Sequence, residues 1–231
     1  DSEQSSSSWG EIIHDDGLRY DHGRHNPIYR PCAPHDVACI RRFFAHNSRC
    51  HPAHGPPSDT YRIKTLTMNI PHVNITLELN HLEIKGWKDY KIEEFYINKK
   101  TDTLVMEVVF EKLVSYTPTA VITYHRRGKE PIEVSDFGFI EYRDLSLTLT
   151  VNHINDIHRS RAHVYAYIND AAPRNQLGPN FAQNKDPQVQ RANAELLGKI
   201  GLSLQEAFIH QGPVFMDVFL HNSICDFKIH H

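Results

Sequence analysis

Leu145-Ser146-Leu147-Thr148-Leu149-Thr150-Val151 alternates apolar and polar side chains without a break. Successive side chains of an extended chain point to opposite sides, so this stretch is a strand with one apolar and one hydroxyl-bearing face. Working outward, Leu104, Met106, Val108 and Phe110 form a second apolar face of the same kind. Lys99-Lys100-Thr101-Asp102 and Arg127-Gly128-Lys129-Glu130 read as the turns between strands. Val73, Ile75, Leu77 and Leu79 also alternate, after which the apolar parity passes to Leu82 and Ile84. A change of parity inside one strand predicts a bulge or sharp bend near Asn80, as a strongly curved sheet requires. Residues 61–168 therefore read as a meander of long antiparallel strands.

The period then changes. Asp186-Pro187 offers an N-cap followed by proline at the first helical position. Val189, Ala192, Leu196, Ile200 and Leu204 follow at helical spacing, and Gly201 and Gly212-Pro213 are expected to kink or interrupt the helix. Val214-Phe215-Met216-Asp217-Val218-Phe219-Leu220 is apolar nearly all round, as in a helix buried on every side. The fold predicted is α+β: a strongly curved antiparallel sheet wrapped around a long C-terminal helix. A short N-terminal helix is added by Val37, Ile40 and Phe44, spaced helically behind Asp36 as N-cap. Residues 1–28, with Ser5-Ser6-Ser7-Ser8 and few apolar side chains, read as a flexible or docked arm. Residues 29–57 read as a tethered helical segment and 58–231 as one wrapped-sheet domain. A wrapped helix can leave an apolar cavity beside it. Val189, Leu196, Ile200, Phe215 and Phe219 are its candidate lining, although such side chains are core by default.

Cys32, Cys39, Cys50 and Cys225 form an even, lopsided set in a chain that begins at Asp1. Both features predict a secreted protein with two disulfides, and four cysteines allow three pairings. Cys50-His51 with His54 is too sparse for a zinc site, so no metal is expected. Asn74-Ile75-Thr76 is a glycosylation signal, and Asn74 falls on the face opposite Val73 and Ile75, where a glycan is tolerated. The 231 residues carry a net charge of −3 and no apolar run near membrane-spanning length, so neither nucleic acid nor a membrane is an expected partner. The 17 histidines are dispersed; on mild acidification they would turn the net charge strongly positive, and self-association is expected to respond. No G-x-S-x-G, P-loop, G-x-G-x-x-G or H-E-x-x-H motif occurs, so neither an enzyme nor a cofactor is expected.

Pro27-Ile28-Tyr29-Arg30-Pro31-Cys32, the six-residue step to Cys39, and Asn47-Ser48-Arg49-Cys50-His51 resemble the start of the fibrohexamerins. These are small glycoproteins of lepidopteran silk fibroin. The ending Ile224-Cys225-Asp226-Phe227, with His230-His231, resembles their C-terminus. The Pro-Cys opening and Leu82-Glu83-Ile84-Lys85-Gly86-Trp87 are also similar to the takeout and juvenile-hormone-binding proteins. The wider resemblance implies their helix wrapped in a curved sheet, with Cys32–Cys39 as one bridge and Cys50–Cys225 as the other. The resemblance to fibrohexamerins implies a secreted protein of silk-gland lumen and cocoon, whose partners are silk fibroin or other silk-gland proteins. With every cysteine paired internally, those contacts are noncovalent. The alternative, implied by the wider resemblance, is an extracellular carrier of a small hydrophobic ligand.

Overall fold

A computed structural model describes residues 26–229. In chain order the elements are β1 (Ile28–Tyr29), α1 (Val37–Asn47), β2 (His51–Pro52), β3 (Thr60–Ile70), β4 (Ile75–Lys85) and β5 (Tyr90–Asn98). Then come β6 (Thr103–Arg126), β7 (Lys129–Asn152), β8 (His163–Ile168) and β9 (Arg174–Leu177). The chain ends with α2 (Pro179–Ala182), α3 (Pro187–Gly198), α4 (Ile200–Phe219) and β10 (Cys225–Asp226). Of the arm expected over residues 1–28, residues 1–25 lie outside the described residues, as does the His230-His231 pair. Ile28 belongs to β1, which pairs with β5.

The spine is one antiparallel hairpin, β6 and β7, each of 24 residues. Because β6 is twice as long as its neighbours, β4 and β5 lie end to end along its other side instead of pairing with each other. Likewise β8 pairs with residues 145–150 of β7 and β9 with residues 138–141. The sheet is therefore not the sequential meander that alternation alone suggests. It has a lower half built on β5 and β8 and an upper half built on β3, β4 and β9. Gly86 makes the turn between β4 and β5; its φ is 109° and a Cβ there would stand 2.2 Å from the Lys112 carbonyl oxygen.

Two creases curl the sheet. The buried set on β6 passes from Leu104, Met106, Val108 and Phe110 to Leu113, Ser115 and Thr117, then to Ala120, Ile122 and Tyr124. The first change of parity lies opposite Asp144 of β7, whose φ is 55°. The second lies at Pro118-Thr119, where the register against β7 shifts between Thr117 and Ala120. Proline has no N–H to give the ladder, so strands accept it at such irregularities. Thr119 pairs with Asn80 of β4, and the neighbouring His81 has a φ of 53°. The bend expected near Asn80 is thus one residue further on. Val73 and Asn74 precede β4 rather than starting it: Pro71–Val73 form a 3₁₀ turn capped by Asn74 at a φ of 52°.

Helix α4 closes the gap between the two edges of the curled sheet. Gln205 Oε1 accepts the Ile168 N–H at 3.1 Å, and its Nε2 donates to the Ala166 carbonyl at 2.9 Å, satisfying the free edge of β8. Gln211 Nε2 donates to the Thr67 carbonyl on the free edge of β3. The helix thereby stands in for the missing strand. It approaches β8 closely because residue 212 is glycine; a Cβ there would meet the Ala166 Cβ at 3.0 Å. The expected interruption of the C-terminal helix falls at Lys199, between α3 and α4, and α4 runs on through Gly212-Pro213. At its lower end Asp217 pairs with Arg159, both side chains largely buried.

Candidate functional site

A ladder of rings fills the space between α4 and the lower half of the sheet. Centroid separations run Phe208–Phe215 5.0 Å, Phe215–Trp87 5.7 Å, Trp87–Phe110 5.1 Å, Phe110–Phe219 5.7 Å and Phe219–Tyr90 4.9 Å. Four of these pairs are edge-on and Phe215–Trp87 is tilted at 33°, and such contacts add stability beyond their buried area. The Trp87 indole N–H is buried without an acceptor among the described residues. Helix α1 seals the end of this stack. Asp36 Oδ1 caps it by accepting the Cys39 N–H at 3.1 Å, and Ile40 and Phe44 are fully buried. Cys32 is bonded to Cys39 and Cys50 to Cys225, so one bridge ties the approach to α1 and the other joins its exit to the chain beyond α4. The second bridge lies beside the β2–β10 pair.

Under the upper half the space is not filled. A cavity of about 130 Å³ lies between the second crease and the α3–α4 junction. Leu196, Leu197, Ile200, Ser203, Leu204 and Ala207 form its roof. Its floor straddles the crease, with Leu79 and Leu82 either side of His81, and Thr117 and Ala120 either side of Pro118. Ser115, Thr117, Ala120 and Gly138 put little side-chain volume into this part of the wall. A second space of about 60 Å³ shares Leu82, Ser115, Ile140 and Ala207 with the first and ends against Tyr142, Phe208 and Phe215. Of the five candidate lining residues, Leu196 and Ile200 roof the larger space and Phe215 closes the smaller. Val189 packs with Phe181 in the upper core, and Phe219 belongs to the ring ladder. The small residues that create the cavity left one trace in the sequence, the parity change at Pro118.

Three polar groups join the roof to the sheet. His72 Nδ1 lies 2.8 Å from Glu206 Oε2, and His72 Nε2 lies 3.4 Å from Ser203 Oγ. This is the atom order of a nucleophilic triad. The single hydrogen of the Ser203 hydroxyl, however, is drawn to the Leu196 and Lys199 carbonyls, 3.2 and 3.1 Å away and both nearer than His72 Nε2. With its hydrogen held by the backbone the serine is a tether, and the trio clamps the 3₁₀ turn to α4. Nearby, the Tyr124 hydroxyl donates to Asn193 Oδ1 at 2.6 Å, and Asn193 Nδ2 donates to the Phe181 carbonyl at 3.2 Å. Burial pushes the Tyr124 phenol up to about 12 against the opposing pull of the Asn193 hydrogen bond.

Asn74 is exposed at the tip of the upper half. A more open depression of about 410 Å³ lies at the lower crease, walled by Lys85, Lys88, Lys112 and Arg143 and by Asp59, Asp89 and Glu111. Its charges of both signs nearly cancel, so it favours no one ion. No group of three or more metal-ligating side chains occurs among the described residues.

The sequence model described as Fibroin P25 matches residues 28–229. A protein of Galleria mellonella named fibrohexamerin is 25% identical over 218 residues, covering 89% of this chain and 91% of that one. Among solved structures, Epiphyas postvittana Takeout 1 superposes with a TM-score of 0.51 at 12% identity, covering 84% of this chain and 91% of that one. That likeness is one of fold.

Proposed function

The chain belongs to the Fibroin P25 family, and from that premise we propose that it is a secreted silk-associated protein that acts through its outer surface. Its partners are fibroin or other silk-gland and cocoon proteins, held by noncovalent contacts. The observation that carries this reading is the ring ladder. It fills the space along α4 that a carrier would keep open, leaving about 130 Å³ where ligand pockets have about 300–1,000 Å³. Two further features support it. All four cysteines are paired within the chain, so none is left to bond a partner. The Asn74 signal stands exposed, where a glycan would keep the upper tip solvated. Such a role requires no catalysis and no cofactor. The test is capture from silk-gland lumen with the tagged, oxidised protein. Silk proteins should be retained and should run free of it on non-reducing gels. Retention of no silk protein would overturn the reading.

A second reading, an extracellular carrier of a hydrophobic molecule, is favoured by the cavity that does remain under the α3–α4 junction.

A further inference from the structure

The two spaces under α4 meet at a pair of hydroxyls. Ser115 Oγ and Tyr142 Oη lie 3.3 Å apart, 8% and 2% exposed. Ser115 lines both spaces and Tyr142 the smaller. Two hydroxyls carry two hydrogens, and the bond between them uses one. The other has no acceptor among the described residues. A buried hydroxyl hydrogen left unpaired costs free energy, and a ligand acceptor would recover it. Burial pushes the Tyr142 phenol upward, so it remains protonated and able to donate. The other hydroxyls on the wall are committed: Thr117 donates to the Asn80 carbonyl at 2.7 Å, and Ser203 donates to the backbone of its own roof. Asn175 and Gln211 also border the spaces, their amides donating to the Pro173 and Thr67 carbonyls, and the rest of the lining is apolar.

Size restricts the occupant further. An engineered apolar cavity of about 150 Å³ in another protein takes up benzene, and the larger space here is about 130 Å³. A long acyl chain has no continuation, because Phe208 and Phe215 close the smaller space. Leu197, half-exposed on the rim, places the larger space next to solvent.

We propose that this paired cavity binds one ring-sized apolar molecule bearing a single carbonyl or hydroxyl oxygen, which accepts the spare hydrogen of the Ser115–Tyr142 pair. The inference rests on the carrier reading and narrows it to a ligand class. It is compatible with a surface role in silk, since the site is internal.

Titration calorimetry of the intact, disulfide-bonded protein with phenol, toluene and palmitate tests it. Phenol should bind one to one, and toluene, of the same size without the oxygen, about three- to tenfold more weakly. The double variant Ser115→Ala/Tyr142→Phe should erase that difference, and Ala207→Leu, which projects into both spaces and leaves too little room for a ring, should abolish binding of both. Equal or tighter binding of toluene by the unaltered protein overturns the proposal without any variant needing to fold. Phenol binding that survives in a folded Ala207→Leu protein places the site elsewhere and also overturns it. Palmitate binding without phenol binding overturns the ligand class and leaves the carrier reading standing. Binding of none of the three overturns both.

Discussion

The lower and upper halves of the wrapped sheet share one helix and one hairpin but fill the space between them differently. Below the first crease, five ring contacts run without a gap from Phe208 to Tyr90, and a bridge spanning 175 residues locks the end. Around the second crease the wall facing the helix includes the small residues Ser115, Thr117, Ala120 and Gly138, and a cavity is left there. The N-terminus of α4 has no side-chain cap, and the His72–Glu206 and Ser203 contacts hold it instead. The same fold is thus packed solid at one end and holds a small apolar cavity at the other. The difference comes from side-chain volume at a crease, not from topology.

The largest effect should come from the long bridge. Replacing Cys50 and Cys225 by serine should cost about 5 kcal/mol by the chain-entropy estimate, against about 2.5 kcal/mol for Cys32 and Cys39, since the sequence separations are 175 and 7. Guanidinium midpoints measure both, and equal losses would contradict the locked lower end. Next, Phe219→Ala should cost about 3–5 kcal/mol and Leu196→Ala about 2–3 kcal/mol, the low end of its range because the site already borders empty space. Similar losses at the two sites would erase the contrast in packing.

Alkali should act on the upper half through Tyr124. Its folded-state phenol ionises near 12, whereas an unfolded tyrosine ionises at about 10. The neutral form is favoured in the fold, so its contribution is complete below pH 10 and is lost as pH rises towards 12, about 3 kcal/mol in all. Tyr124→Phe should flatten that part of the stability curve; an unchanged slope would show that Tyr124 does not contribute it. The smallest effect sharpens the comparison from the other side. Ala207→Leu should raise stability by about 1 kcal/mol by filling the cavity. Ala166→Leu, beside the close approach of Gly212, should lower it by about 1–3 kcal/mol. Thermal melts of the two variants shifting in the same direction would contradict the difference in packing.

The architecture was largely legible because strand alternation and helical spacing are local signals. Leu145 to Val151 names the face that a strand buries, and the parity change between Leu79 and Leu82 names a bend. Neither names a neighbour. That β4 and β5 share β6 depends on the length of the hairpin, which becomes visible only once pairing is known. The break at Lys199 is silent because the spacing of Leu196, Ile200 and Leu204 continues across it. Gln205 and Gln211 look like surface residues in sequence, yet each satisfies a strand edge. The cavity was least legible. Apolarity selects large side chains such as Phe219, which fill space, whereas the cavity is made by small residues whose effect depends on what lies across from them.

If the protein acts through its surface, the space along α4 holds no chain-length lipid. Native mass spectrometry of the protein expressed through the secretory pathway of insect cells tests this most directly. The predicted mass is that of the polypeptide with its disulfides and any glycan, carrying no long-chain lipid. A stoichiometric fatty acid, sterol or quinone retained through gentle desolvation would contradict it.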